Sequence, residues 1–193
     1  MTATHYVERD YAAMPWKNGR GTTTELARDT ADQDYGWRLS IADIAEDGEF
    51  SAFTGMQRVI TVLEGAGMRL SVDGVPSGDL RPFEAYAFDG GSRTSCALLD
   101  GPVRDFNLIY RPDRFSARFE WLAFPGSRRF ITTAATVLVY CSGRRAVIGT
   151  PEGGQAQLGN HELLRLDNTS GTADISIQAP QEGRCAVVEL WRY

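Results

Sequence analysis

An all-β fold is predicted for these 193 residues by three observations. Short segments rich in β-branched and aromatic residues recur along the chain and stop at Gly or Asp. No window sustains an apolar period of 3.6, and 20 glycines with 8 prolines interrupt the chain too often for long helices. Later segments also echo earlier ones in the same order, which points to two related β-units. Many short strands at regular spacing describe a sandwich or a barrel.

The strands are expected in order at "WRLSIADI" (37 to 44), "RVITVLEG" (58 to 65), "MRLSVDG" (68 to 74) and "FEAYAFDG" (83 to 90). "SCALLDG" and "VRDFNLIYR" close the first half, and "TVLVYCSG", "RAVIG", "HELLRLDN", "ADISIQA" and "CAVVELWRY" supply the second. "VITVLEGAGMRLSVDG" is echoed by "TVLVYCSGRRAVIG", each read as two strands joined by a glycine turn. "LRPFEAYAFDG" is echoed by "LGNHELLRLDN", and "RDFNLIYR" by "CAVVELWR". The halves meet in "RPDRFSARFEWLAFPGSRRF" (111 to 130), giving units at 1–111 and 112–193. The second is expected to pack on and stabilise the first and to offer a surface for a homodimer.

Composition narrows the function. A hydrophobic content of 42% supports a substantial core, and a net charge of −5 gives no general attraction to nucleic acid or anionic membranes. The expected partner is therefore a small molecule. Three scattered cysteines make neither a disulfide framework nor a Cys-x-x-Cys metal site and read as reduced core residues. The N-terminus has no apolar leader run, so a cytoplasmic protein is expected.

"MPWKNGRGTTT" (14 to 24) combines glycines with a lysine, but a phosphate-binding loop needs the lysine after the glycines and a helix behind it. Three β-branched threonines favour an extended chain instead. The segment reads either as a turn packed by Trp16 or as a rim over a small polar ligand. In the second case Trp16 gives an apolar wall, Lys17 a cation and Asn18 both a donor and an acceptor.

The phrase "VLEGAGMRL" resembles the strand pair of the cupin barrel, whose metal site uses two histidines and a glutamate ahead of that glycine. Aligned by eye, Ser51, Phe53 and Arg58 stand at those positions, with Thr94 or Ser95 at the next one. His5 and His161 are the only histidines, so no histidine cage can form and neither a metal nor a cofactor is expected. Together, "MPWKNGRGTT", "WRLSIADIAEDGEFSAFTGMQRVITVLEGAGM" and "LLDGPVRDFNL" closely resemble the HutD/Ves family over residues 14 to 108. That resemblance implies two cupin-like double-stranded β-helix barrels in one chain. It also implies a link to histidine catabolism or stress response in some members, with no established reaction. Family members commonly carry glycine at the position of Arg20.

Several side chains are candidates for a site. Alternation places Arg38 and Ser40 opposite Leu39 and Ile41, on a face that is either solvated or turned into the barrel. Pattern alone does not choose, and the family resemblance favours the inward face. Arg58 falls near the metal position of cupins, where a guanidinium could grip a carboxylate through two parallel hydrogen bonds. The other reading of Arg58 is a salt bridge to Glu64, Asp43 or Asp47. Phe53 and Asn107 join the candidates, with Asp105 on the same face as Asn107. Glu64 with Asp43 or Asp105 could make an acid/base pair, but no specific catalytic arrangement is visible and His161 reads as a strand-end surface residue.

Two classes of function follow. The first is a metal-independent protein that binds a small carboxylated metabolite such as urocanate or formylglutamate, in a regulatory or accessory role. The second is a metal-independent isomerase or hydrolase acting on a similar acid.

Overall fold

The computed structural model describes residues 1–16, 21–151, 153–169 and 171–193. Among these the sole helical element is the 3-10 turn Glu8–Asp10. No helix among them is long and apolar enough to cross a membrane. In chain order the strands of the first stretch are β1 (Thr2–Tyr6), β2 (Ala12–Pro15), β3 (Gly21–Arg28), β4 (Trp37–Ile44), β5 (Gly48–Glu49) and β6 (Gln57–Glu64). They continue with β7 (Met68–Val72), β8 (Val75–Leu80), β9 (Ala85–Asp89), β10 (Thr94–Leu98) and β11 (Val103–Tyr110). The remainder are β12 (Phe115–Thr132), β13 (Thr136–Gly143), β14 (Ala146–Gly149), β15 (Gln155–Leu158), β16 (Leu163–Asp167) and β17 (Ala173–Arg192).

Contacts divide the chain into Tyr11–Arg114 and a unit made of Met1–Asp10 with Phe115–Tyr193. The first ten residues, read from sequence with the first unit, belong to the other because β1 pairs antiparallel with β16 from Thr2↔Asp167 to Tyr6↔Leu163. The expected connection at 111 to 130 is also mostly strand. Phe115, Leu122 and Phe124 of β12 are buried, and the charged Arg118 and Glu120 between them hid the pattern.

In the unit Tyr11–Arg114, one sheet runs β2-β3-β4-β11-β6-β9 and the other β5-β10-β7-β8. β6 and β7 lie in different sheets, so the glycine turn that joins them crosses from one sheet to the other. In the other unit β16-β13-β17-β14-β15 continues from β1, with β12 along β17. The first echoed strand of each unit lies between the other two: β6 between β9 and β11, β13 between β16 and β17.

The interior face of the unit Tyr11–Arg114 changes character along its strands. At one end Ile44, Ile60, Val62 and Val103 join Met68, Leu70, Phe88 and Cys96 in an apolar cluster. Further along the same alternation stand Arg38 and Ser40 on β4, Arg58 on β6, and Asp105 and Asn107 on β11. A separate cluster including Val137, Val139, Ile148, Leu166, Ile175 and Val187 forms the core of the other unit. All three cysteines are buried and free.

Candidate functional site

Register alone brings two cations together. Ile109 on β11 pairs with Arg38 on β4 and with Arg58 on β6, so the arginines flank one residue at a single level. Neighbouring strands lie about 4.8 Å apart, which sets the two backbones roughly 10 Å from each other. Asn107 pairs with Ser40, and Asp105 with Ala42, one and two pleats deeper. These side chains line a cavity of about 530 Å³ whose walls include Trp16, Phe50 and Phe53.

Arg58 is 6% exposed and donates from Nη2 to Asn107 Oδ1 at 2.8 Å. The Asn107 amide in turn donates from Nδ2 to Asp105 Oδ1. Its amide is thereby oriented by a cation on one side and a carboxyl on the other. The Arg58 guanidinium lies 5.3 Å from the Phe50 ring centre, 5.3 Å from Phe53 and 5.0 Å from Phe88. The Arg38 guanidinium lies 5.3 Å from Phe53 and 5.4 Å from Tyr35. Aromatic faces stabilise both charges without satisfying their N–H groups. Among the described residues, nothing hydrogen-bonds the buried Nε of Arg38, Nε of Arg58 or Oδ2 of Asp105.

Electrostatics follow from that burial. Burial pulls the Arg58 guanidinium down to about 10, Asp105 opposing the fall and Arg38 adding to it. Burial pushes the Asp105 carboxyl up to about 7, with Arg58 pulling down and Asp43 pushing further up. The cavity therefore sets two guanidiniums against one carboxyl whose charge burial opposes. Glu49, also on the wall, is exposed and engages Arg93 at 2.8 Å.

The segment 50 to 56 is tied down over Arg58. Phe50 N donates to Thr94 O at 2.8 Å, Phe53 N to Gly90 O at 2.6 Å, and Gly90 N to Met56 O at 2.8 Å. A Cβ on Gly90 would stand 2.9 Å from Met56 O, 3.0 Å from Phe53 O and 3.3 Å from Arg58 Cγ. Glycine is what allows this close approach. Trp16 Nε1 donates to Thr23 Oγ1 at 2.8 Å, and Trp16 N to Gly21 O at 2.9 Å, which seats the indole at the cavity wall.

Of the residues singled out in the sequence, Trp16, Arg38, Ser40, Phe53, Arg58 and Asn107 meet in this cavity together with Asp105. The face question at β4 is answered, since Arg38 and Ser40 point inward. Arg58 takes Asn107 rather than the salt bridges offered from sequence. Asp43 and Glu64 instead hold Arg104, at 2.7 and 3.4 Å. Glu64 is not part of the site. Six residues separate it from Arg58 along β6, roughly 20 Å at strand rise, and it lines a second recess with Asp43, Pro102 and Arg104. Lys17 and Asn18 lie outside the described residues. His5 and His161 belong to the other unit, where His5 Nε2 meets Glu162 Oε2 at 2.7 Å. His161 Nδ1 is 2.6 Å from Tyr140 OH, so it is a bonded turn residue rather than a free surface one. Phe50 was missed, although "EFSAFTG" spaces two aromatics three apart between glycine turns.

This donor set does not fit a metal. Ser51, Phe53 and Arg58, aligned by eye in the sequence with cupin ligand positions, line the cavity, and its two guanidiniums would repel a cation there. Among the described residues, no three His, Cys, Asp or Glu side chains converge.

Fold and site define an all-β, cupin-like barrel protein with a cationic interior. A cupin 2 conserved barrel domain protein from Leptotrichia buccalis shares the fold at 9% identity and a TM-score of 0.58, covering 88% of each chain. The chain belongs to the HutD family, whose model matches residues 8–187. An uncharacterised 21.2 kDa protein in the hutC 3′ region of Pseudomonas putida is 47% identical over 184 residues, 94% of either chain. Protein Ves of Citrobacter koseri is 39% identical over 114 residues, 56% of this chain and 60% of that protein. Among solved structures, a conserved protein of unknown function from Pseudomonas aeruginosa PAO1 aligns over both full chains at 43% identity and a TM-score of 0.95. HutD from Pseudomonas fluorescens SBW25 does so at 46% and 0.87.

Proposed function

We propose that this protein binds a small carboxylated metabolite in the cavity of the unit Tyr11–Arg114, in an accessory or regulatory role connected with histidine utilisation. The observation that carries this reading is the pair of guanidiniums at one level, each with a buried Nε that no acceptor among the described residues meets. A carboxylate offers two oxygens in one plane, which match the parallel N–H groups of a guanidinium. Phe50, Phe53 and Trp16 suit a flat or unsaturated ligand body. The relatives' names, HutD and the hutC 3′ region, support urocanate or formylglutamate as the first ligands to try. In this reading the second unit repeats the cupin-like strand order, making a two-cupin chain whose first barrel does the binding.

A thermal-shift screen of histidine-pathway acids, followed by calorimetry, tests the proposal. Binding is expected for carboxylates and not for their amides. A screen in which amides bind as well as acids counts against it. One observation favours a second reading: a carboxyl near pKa 7 beside the ligand site is a competent general acid or base. Overnight incubation of each bound acid with product analysis separates the two. New product that disappears in Asp105→Asn would establish an isomerase or hydrolase.

A further inference from the structure

We propose that the cavity takes up its carboxylate together with one proton from solvent, and that Asp105 holds this proton. This deepens the reading of an anion site and rests on it.

Geometry supplies the coupling. Asn107 connects Arg58, through its Oδ1, to Asp105, through its Nδ2. Asp105 Oδ1 is thereby engaged, whereas the buried Oδ2 has no partner among the described residues. Asp105 itself is 1% exposed, so water does not stabilise its charge. Among the described residues, β6 presents Arg58, β4 presents Arg38 in the same cavity and carries Asp43 on its opposite face, and β10 presents Cys96, whose thiol burial pushes up to about 12. Glu49 lines the same cavity from β5. Among the described residues, Arg58 is the cation that favours the ionised Asp105 carboxyl, with the Asn107 amide beside it, against burial and Asp43.

An anion seated on Arg58 changes that balance, because its negative charge offsets the cation that favours the ionised carboxyl. That raises the Asp105 pKa above its free value of about 7, so the carboxyl protonates as the ligand binds. No covalent bond forms or breaks. The site gains an anion and a proton, and the buffer loses the proton. Affinity is then full below the free pKa and declines as pH rises above it, by up to about tenfold per pH unit.

Calorimetry on the full chain tests this with benzoate and propanoate, which do not titrate near neutral pH. Repeating each titration in triethanolamine and in Tris, two cationic buffers whose ionisation enthalpies differ, counts the protons exchanged. At about pH 8 the native protein should take up most of one proton per ligand, with affinity falling as pH rises further. Asp105→Asn should take up none and show a flat pH profile, whatever its absolute affinity. If that variant does not fold, the native proton count decides alone. Native binding without proton uptake overturns the coupling and leaves the anion site standing. Uptake that persists in a folded Asp105→Asn overturns the assignment to Asp105. Failure of both probes to bind at about pH 6, where the site is most cationic, removes the anion site and this inference with it.

Discussion

Arg58→Met removes the charge at the centre of the cavity while keeping much of the side-chain volume. Its effect on stability can be bounded from the surroundings of the guanidinium. The fall of Arg58 to about 10 means that its surroundings, burial foremost with Asp105 opposing, disfavour its charged form by about 3 kcal/mol net. Three aromatic faces at 5.0 to 5.3 Å offset this by about 0.5–1 kcal/mol each, and the bond to Asn107 by about 1 kcal/mol. The terms nearly cancel. Removing one member of a buried pair is usually damaging because a charge is stranded. Here Asp105 escapes that fate, because without Arg58 its carboxyl rises further and stays protonated. Unfolding by urea near neutral pH should therefore place Arg58→Met within about 2 kcal/mol of the native chain. Calorimetry should show affinity for the bound carboxylate lower by about 2–5 kcal/mol, at least roughly 30-fold. A variant that loses more than about 4 kcal/mol of stability while a folded remainder binds as before would falsify the reasoning. Arg58 would then be a structural ion.

Other expectations check the surroundings of the site. Glu64→Gln should leave carboxylate affinity unchanged and alter stability by less than about 1 kcal/mol, since its pair with Arg104 is exposed and lies in the other recess; reduced affinity in calorimetry would place Glu64 back in the site. Gly90→Ala should destabilise by about 1–3 kcal/mol and weaken binding, because the new methyl meets two carbonyl oxygens of the segment that covers Arg58; unaltered denaturation and affinity would show that segment to be slack. Asp105→Asn should change the pH dependence of unfolding. The folded carboxyl titrates near 7 rather than 3.8, so between those values the native state binds the extra proton and native stability falls as pH rises. The variant should lack that decline, and parallel denaturation profiles for the two proteins would contradict the raised carboxyl.

Much of the fold was legible because alternation and glycine punctuation are local. β4, β6 and β11 were visible as "WRLSIADI", "RVITVLEG" and "VRDFNLIYR". β1 was not, since four of its five residues are exposed and its pairing with β16 spans the chain. The Arg38 face stayed open because both sides of β4 are buried: Leu39 is 0% and Ser40 2% exposed. Hydrophobic contrast then carries no information. Glu64 shares the parity of Arg58 and so looked like a neighbour, and only strand length separates them. The Arg58–Asn107–Asp105 chain needed the register of β6 on β11, which no single-segment pattern contains. Phe50 depended on a loop held by Thr94 and Gly90, contacts that sequence spacing does not announce.

A structure of the chain with a bound pathway acid tests the central claim most directly. The account predicts carboxylate oxygens at about 2.7–2.9 Å from guanidinium nitrogens of Arg58 or Arg38, with the ligand body against Phe50 and Phe53. A carboxylate seated instead in the recess of Asp43, Glu64 and Arg104, with the two cavity arginines untouched, would contradict it.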